Sequence, residues 1–284
     1  MTQDLYNELS TFRETHPVKT VTYQKKPYRY LAGGESGPTV FLLPGGLGIG
    51  EPFFLHVLDL EPDCRVIAPS YPDVSSLEDL AAGMHHIAQA EGADRYSLVG
   101  QSAGGLVAQV MVRRFPEQVD KVMLSHTSTV TTDTDEAEIA ERVAGMNKRL
   151  RMLRLIPFFV VKRQLMNSID HIVETMRPDE LYFWKGYFEY VFEQRTKRDQ
   201  MAMMRTLIDF ASNYRFSLHD LDDWPGEIMI LDSDADASIP DAERKQVRRL
   251  YPRAQLHTLE DAGHLAIVSE RETYLRLMRG FLKL

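Results

Sequence analysis

The chain has 284 residues and a formal net charge of −8. This length indicates one large domain or two small ones, and an acidic surface disfavours a nucleic-acid partner because phosphates would be repelled. A single cysteine, Cys64, excludes an intrachain disulfide, no apolar run approaches the ~18 residues of a membrane span, and residues 1–17 lack the features of a signal peptide. The sequence therefore predicts a cytoplasmic protein of a reducing compartment, with no membrane span.

Short apolar, β-prone segments alternate with amphipathic helical patterns over the first 128 residues. The first two segments are flanked by lysine and proline, which predicts an early hairpin. The alternation that follows is typical of a parallel sheet with helices on both faces. The predicted strands are residues 18–23, 28–32, 40–43, 65–68, 96–99 and 121–124, and the predicted helices are residues 77–90 and 103–114.

The strand pattern stops near residue 129 and returns near residue 217. The intervening stretch has helical periodicity, and Pro157 stands where it can open a helix as its first residue. We therefore predict one α/β core, residues 1–128 and 217–284, interrupted by a helical lid at residues 129–216. The predicted elements after residue 128 are helices at 133–155, from 157, 178–195, 197–213, 241–251 and 269–283, and strands at 227–231 and 255–259.

A Gly-x-Ser-x-Gly sequence lies between the strand at 96–99 and the helix that follows it. In this context Ser102 stands on a sharp turn with its hydroxyl projecting, and Gly100 and Gly104 avoid a collision across the turn. The helix N-terminus makes the Ala103 N–H available to an oxyanion. The sequence therefore predicts a nucleophilic serine. The alternative is an ordinary glycine-rich turn.

At these residues the sequence resembles the α/β-hydrolase family. The resemblance implies a mostly parallel central sheet with helices on both faces and an inserted helical lid. It also implies the chain order nucleophile, acid, histidine. The acid it indicates is Asp236, four residues before Pro240, with Asp234 as the second choice, and the histidine is His264 in a Gly-His pair. Taken alone, His264 is equally compatible with a structural or surface role.

The glycine-rich loop after the strand at 40–43 has a role in the same resemblance. Family members usually carry His-Gly at this point, where this chain has Pro44 and Gly45. The resemblance implies that this loop supplies the second oxyanion N–H, from Gly46 or else from Leu47. The alternative is that the glycines serve only to make a flexible loop.

The predicted lid is rich in aromatic residues, too many for one helix face. Some are expected to pack the lid core, and others to line an apolar or aromatic pocket or to form a dimer surface. We list as candidate substrate-binding residues Leu47, Gln101, His126, Phe158 and Trp184.

Further segments resemble maspardin-like members of the family, which are regarded as binding proteins that lack the histidine. This chain keeps Asp236 and His264, which favours an enzyme. The segments that carry this likeness are Phe12-Arg13, Pro17-Val18, residues 65–68 with Tyr71-Pro72, residues 156–158 and residues 250–254.

The predicted activity is a serine hydrolase that cleaves a carboxylic ester or related acyl compound through a Ser-His-Asp triad and an acyl-enzyme. The alternatives are a C–C bond hydrolase, an amide hydrolase or an acyltransferase on the same triad, and a noncatalytic maspardin-like binding protein. We expect no metal and no organic cofactor. The expected partner is a small acyl substrate with an apolar or aromatic portion, and a homodimer is a further possibility.

Overall fold

Eight strands form one sheet in the computed structural model of the chain, which describes residues 2–173 and 178–284. The strands are β1 (Lys19–Tyr23), β2 (Lys26–Gly33), β3 (Thr39–Leu43), β4 (Arg65–Ser70), β5 (Tyr96–Gln101), β6 (Val119–Ser125), β7 (Glu227–Ser233) and β8 (Gln255–Leu259). Their order is β1-β2-β4-β3-β5-β6-β7-β8. The β1–β2 hairpin and the β2–β4 pair are antiparallel, and the other neighbours run parallel. The prediction of a mostly parallel sheet is confirmed.

Helices connect the strands and lie on both sides of the sheet. They are α1 (Thr2–Thr15), α2 (Phe54–Leu60), α3 (Leu77–Ala90), α4 (Ala103–Arg114), α5 (Glu136–Leu155), α6 (Phe158–Val173), α7 (Pro178–Gln194), α8 (Lys197–Asn213), α9 (Asp241–Leu250), α10 (Ala266–Ser269) and α11 (Arg271–Leu282). A 3₁₀ helix, Glu51–Phe53, precedes α2. Within the described ranges, none of these helices combines the length and apolarity needed to cross a bilayer.

Two hydrophobic cores flank the sheet, as the side chains of β3 demonstrate. Successive side chains of a strand point to opposite faces. Phe41 and Leu43 belong to the core that includes α3 and α4, whereas Val40 and Leu42 belong to the core that includes α2 and α11. Because β3 is buried on both faces, it reads as a continuous apolar run rather than an alternating one. This burial explains why the central strands could be recognised in the sequence.

Helices α5 to α8 lie between β6 and β7, within the range predicted as a lid. Residues 174–177 of that range lie outside the described residues. At the two ends of the helical stretch, Thr131 and Phe216 form a bridge, so the chain leaves and returns at one place. Helix α7 packs against α1, where the rings of Tyr6 and Phe183 meet edge to face at 4.9 Å. The N-terminal helix therefore contacts the helical stretch directly.

The structure differs from the sequence prediction at both ends of the chain. Helices α1 and α2 were not predicted. The helix predicted at 269–283 corresponds to α11, whereas the short helix α10 before it was not predicted. Glu270 separates the two helices because it leaves helical geometry with φ −114° and ψ 35°. Helix α1 is largely polar, and its sequence signal is weak because it buries only a narrow face, where Leu9 and Phe12 enter the core.

Candidate active site

Ser102 occupies the turn between β5 and α4 in a backbone conformation that non-glycine residues rarely adopt, with φ 53° and ψ −117°. The flanking glycines allow this turn to pack. A Cβ on Gly100 would stand 2.5 Å from the carbonyl oxygen of Gly104, and a Cβ on Gly104 would stand 2.1 Å from that of Leu43. Backbone atoms cannot move aside as a flexible side chain can. The tight turn therefore requires glycine at both positions.

The structure brings Ser102, His264 and Asp236 together in one hydrogen-bonded chain. Ser102 Oγ lies 3.0 Å from His264 Nε2. On the other side of the imidazole, His264 Nδ1 lies 2.9 Å from Asp236 Oδ2, so that the ring N–H donates to the carboxylate. Each residue follows the carboxyl end of a parallel strand: β5 for the serine, β7 for the aspartate and β8 for the histidine. These strand ends meet at one edge of the sheet.

The Asp236 side chain is fully buried. Burial alone would raise its pKa, but the hydrogen bond and charge of His264, together with two backbone N–H donors, lower the pKa below its ordinary value. Those donors are Ser238 N at 2.7 Å and Ile239 N at 3.1 Å, both to Oδ1. The carboxylate therefore stays ionised and fixed in orientation beside the imidazole.

The two neighbouring carboxylates lie in other interactions. Asp232 forms a salt bridge with Arg248 and accepts a hydrogen bond from Thr258. Asp234, the second choice from the sequence, accepts a hydrogen bond from the N–H of Asp261. In the described part of the chain, no group of three or more histidine, cysteine, aspartate or glutamate side chains could hold a metal ion.

Gly46 and Ala103, the two residues predicted to supply oxyanion N–H groups, lie beside Ser102. The turn from Gly45 to Gly48 is closed by a hydrogen bond from Gly48 N to Gly45 O at 2.8 Å, which uses neither of its central N–H groups, those of Gly46 and Leu47. Ala103 begins α4, where helix N–H groups lack intrahelical acceptors. Gly46 and Ala103 both line a cavity that contains Ser102. Donors in this position are suited to hold a developing oxyanion.

A model of the alpha/beta hydrolase family matches residues 40–277, which is most of the chain. The chain belongs to the alpha/beta hydrolase family. It is 26% identical over 234 residues to 2-hydroxymuconate semialdehyde hydrolase of Pseudomonas putida, covering 77% of this chain and 76% of that protein. It is 24% identical over 207 residues to 2-hydroxy-6-oxo-2,4-heptadienoate hydrolase of Pseudomonas putida strain F1, covering 72% and 70%.

The fold is shared with solved hydrolases. A hydrolase from Pseudomonas aeruginosa PA01 superposes with a TM-score of 0.76 at 14% identity, covering 94% of this chain and 99% of that one. The family and the fold therefore identify this chain as an enzyme of the α/β-hydrolase class. The likeness to maspardin-like members stays a prediction, because neither the family match nor these relatives address it.

Two cavities of the hydrolase meet at Ser102. The first, which we call the apolar cavity, has a volume of about 290 Å³ and also contains His264. The second, which we call the mixed cavity, has a volume of about 630 Å³ and carries both apolar and charged side chains. The apolar cavity is lined in part by Leu47, Phe53, Leu165, Phe188, Phe192 and Ile267. The mixed cavity is lined in part by Thr127, Glu138, Arg142, Met146, Ser238 and Glu243.

Leu47 and Gln101, two of the five predicted substrate-binding residues, line the apolar cavity. Gln101 Nε2 also donates to the backbone oxygen of His264 at 3.3 Å, which ties the histidine loop to the serine turn.

The other three predicted residues lie elsewhere. His126 is buried, with its ring centroid 6.1 Å from that of His264, and its ring nitrogens lie 2.8 Å from Ser125 Oγ and 2.6 Å from Ser233 Oγ. Trp184 is buried, and its ring packs against that of Phe54 of α2 and against neighbouring aromatic rings of α7. Phe158 is half-buried beneath the Lys162 ammonium.

Two of the lid aromatic residues, which the sequence did not separate from those that pack the lid core, line the apolar cavity. Phe188 and Phe192 are four apart on α7, so they share one face of that helix and turn it toward the cavity. This spacing was visible in the sequence. The spacing of Phe188 and Phe192 did not stand out, because other faces of α7 are aromatic as well, at residues 182, 183, 184, 187 and 190.

Proposed function

We propose that this hydrolase cleaves a carboxylic ester or a related acyl compound, with Ser102 as the nucleophile. The observation that carries the proposal is the continuous hydrogen-bonded chain from Ser102 through His264 to the buried Asp236. An imidazole held between a hydroxyl and an ionised carboxylate can take the hydroxyl proton as the oxygen attacks a carbonyl carbon.

The reaction then proceeds in two halves. His264 receives the Ser102 proton, while Asp236 fixes the imidazole tautomer and stabilises the imidazolium. The tetrahedral oxyanion accepts hydrogen bonds from the N–H groups of Gly46 and Ala103, each contributing on the order of 3 kcal/mol to transition-state stabilisation. His264 returns the proton to the leaving group, and the acyl group remains on Ser102. A water that gives its proton to His264 then attacks the acyl carbon and releases the acid.

The shape of the site supports a substrate with an apolar or aromatic portion. The apolar cavity is bounded mainly by aliphatic and aromatic side chains and reaches both Ser102 and His264. Burial of apolar groups there contributes binding free energy of about 25 cal/mol per Å². The mixed cavity, which shares Gly46 and Ser102 with the apolar cavity, offers room for a larger and more polar portion.

Hydrolysis of a carbon–carbon bond is the second candidate. It is favoured by the two sequence relatives, whose names give 2-hydroxymuconate semialdehyde and 2-hydroxy-6-oxo-2,4-heptadienoate as substrates. The second of these compounds contains no ester or amide, so its hydrolysis must break a bond between carbons. The same serine, histidine and oxyanion donors would serve that reaction.

Labelling with a fluorophosphonate tests the role of Ser102. We expect covalent labelling of the wild-type protein and none of Ser102→Ala. Unchanged labelling of the variant would refute this serine as the nucleophile.

Kinetics on two substrate types separate the candidates. We expect a series of p-nitrophenyl esters to be hydrolysed with higher kcat/KM than a 2-hydroxy-6-oxo-2,4-dienoate. The reverse order would select carbon–carbon bond hydrolysis, and loss of both activities in Ser102→Ala assigns them to one site.

A further inference from the structure

The corner where α5 passes into α6 exposes large apolar side chains. Leu155 is 85% exposed and Phe159 is 73% exposed, the two highest values among the large apolar residues that the structure describes. Met152, one turn before Leu155 on α5, is 48% exposed. A cluster of exposed apolar side chains on a folded surface indicates a surface that binds something.

The same corner is strongly basic in an acidic protein. Residues 148–163, which we call the basic corner, contain six lysines and arginines and no aspartate or glutamate, although the whole chain has a net charge of −8. Five of the six are exposed: Lys148, Arg149, Arg151, Arg154 and Arg163. The sixth, Lys162, lies over the ring of Phe158 and donates to the backbone oxygen of Glu193. Among the side chains that the structure describes, those of residues 3–167 and 180–284, none of the six has a carboxylate partner.

Backbone contacts hold the basic corner in shape without covering its apolar side chains. Lys197 Nζ, at the start of α8, donates to the carbonyl oxygens of Arg154 at 2.7 Å and Ile156 at 2.9 Å. It thereby satisfies groups that the end of α5 leaves without partners. Ile156 N donates to Met152 O, which closes the last turn. Leu155 and Phe159 are therefore presented to solvent by an ordered turn.

We propose that the basic corner binds the surface of an anionic lipid bilayer. An apolar tip surrounded by lysine and arginine fits the boundary between acyl chains and phosphate headgroups. Leu155 and Phe159 would enter the boundary, and Arg151 and Arg163, one helical turn away from them, would reach the phosphates through their flexible stems.

A second copy of this chain fits the basic corner less well. A two-fold contact brings the same patch of both molecules together. Six cations would then face six more with no carboxylate between them, which Coulomb repulsion disfavours. An anionic surface supplies the missing opposite charge.

The two helices of the basic corner also line the two cavities at Ser102. Met146 and Arg149 of α5 line the mixed cavity, and Leu165 of α6 lines the apolar cavity. Binding through the corner would bring both cavities toward the lipid surface. The proposal goes beyond the proposed ester hydrolysis and does not depend on it.

Co-sedimentation of the full-length protein with lipid vesicles tests the proposal. We expect binding to vesicles of phosphatidylcholine mixed equally with phosphatidylglycerol, and little to pure phosphatidylcholine. Raising the salt concentration should weaken binding, because it screens charges near the surface. Failure to sediment with the anionic vesicles at low salt would overturn the proposal. Ser102→Ala should bind as the wild type does, which separates this result from any failure of the catalytic proposal.

Paired variants locate the binding surface. Arg151→Gln with Arg154→Gln should lower the partition coefficient roughly 10- to 30-fold, since each basic residue near an anionic surface contributes about 1 kcal/mol. The matched control is Arg29→Gln with Arg276→Gln, two exposed arginines that make no ion pair within the described part of the chain. An equal loss of vesicle binding in both double variants would show nonspecific charge attraction and refute the basic corner as the binding surface.

Apolar variants test the depth of contact. Leu155→Ser with Phe159→Ser should weaken binding about tenfold or more, whereas Val18→Ser with Leu218→Ser, at 61% and 53% exposure, should not. Light scattering on the same variants measures the oligomeric state and tests the alternative that a second copy of this chain covers the basic corner. If the wild type is a dimer and Leu155→Ser with Phe159→Ser makes it a monomer, the corner is an interface between copies and the lipid proposal is wrong.

Discussion

Asp236 and Asp234 stand two residues apart after β7, yet only one of them reaches the imidazole. Asp236 accepts from His264 at one oxygen and from two backbone N–H groups at the other. Asp234 turns toward the N–H of Asp261 on the neighbouring loop. The sequence pattern of an aspartate four residues before proline pointed to Asp236, and the backbone turn at 236–239 is the physical reason that this carboxylate faces inward.

This difference predicts opposite outcomes for two matched substitutions. Asp236→Asn should lower kcat/KM by a factor on the order of 10⁴, because an amide cannot hold the imidazole in the required tautomer or stabilise its charge. Asp234→Asn should change kcat/KM by less than about threefold. Steady-state kinetics on one p-nitrophenyl ester measure both variants. A large loss in Asp234→Asn alone would make Asp234 the working carboxylate.

Among the secondary-structure elements, α1, α7 and the 3₁₀ helix meet at one carboxylate. Glu51 accepts two hydrogen bonds from the Arg13 guanidinium of α1, each at 2.8 Å, and one from the Tyr187 hydroxyl of α7 at 3.0 Å. Glu51 begins the 3₁₀ helix, whose last residue, Phe53, lines the apolar cavity. The N-terminal helix therefore helps to set the position of the cavity wall.

Glu51→Gln should loosen this junction. We expect a decrease of about 1 kcal/mol in the free energy of unfolding, since the paired side chains are partly exposed. KM for an apolar ester should rise more than kcat falls, because the change reaches the cavity wall and not Ser102. Denaturant unfolding and steady-state kinetics measure the two effects. Asp120→Asn, which breaks the exposed pair with Arg95, is the control and should leave KM unchanged.

Two aromatic positions of α7 predict separate effects on specificity and stability. Phe192 lines the apolar cavity, whereas Trp184 packs against α2. Phe192→Leu should enlarge the cavity and move the preferred ester toward longer acyl chains. Trp184→Phe should destabilise the fold by about 1–3 kcal/mol and leave the chain-length preference unchanged. A series of p-nitrophenyl esters, run beside thermal unfolding, distinguishes them. A shift of preference in the Trp184 variant would place that ring at the substrate.

At the scale of the whole molecule, two buried imidazoles make stability depend on pH. Burial, aided by Arg271, lowers the pKa of His56 to about 3. Burial likewise lowers the pKa of His126 to about 4, with the charge of His264 acting in the same direction. Between those values and the ordinary 6.5 of an unfolded histidine, the unfolded chain binds protons that the folded chain does not. Stability therefore rises with pH through this window and falls as the solution is acidified.

We expect the free energy of unfolding to fall from pH 7 to pH 5, with each buried imidazole contributing up to about 1.4 kcal/mol per pH unit. His56→Leu should reduce that slope. Leu218→Ala, at an exposed side chain that does not titrate, is the control and should leave the slope unchanged. Urea unfolding at several pH values supplies the comparison, and equal slopes in the wild type and His56→Leu would contradict the assignment to His56.

Much of the fold was predictable because buried parallel strands are short continuous apolar runs, as in β3 and in residues 228–231 of β7. The serine turn was predictable because a strand, two obligatory glycines and a helix occur together. Helix α1 was not predictable, because its narrow apolar face is buried by tertiary packing against α2 and α7. The inward position of Phe192 and the burial of Trp184 were also hidden, because α7 is aromatic on several faces and tertiary packing decides which face is inside.

The separation of the site residues along the chain has a consequence for how activity returns after denaturation. His264 and Ser102 are 162 residues apart, and His264 follows β8, a strand with only one neighbour in the sheet. Contacts between distant residues close a large loop and tend to form late. During refolding, fluorescence of the buried aromatic rings should therefore recover before turnover does. The delay between the two signals would measure how long β8 takes to join the sheet.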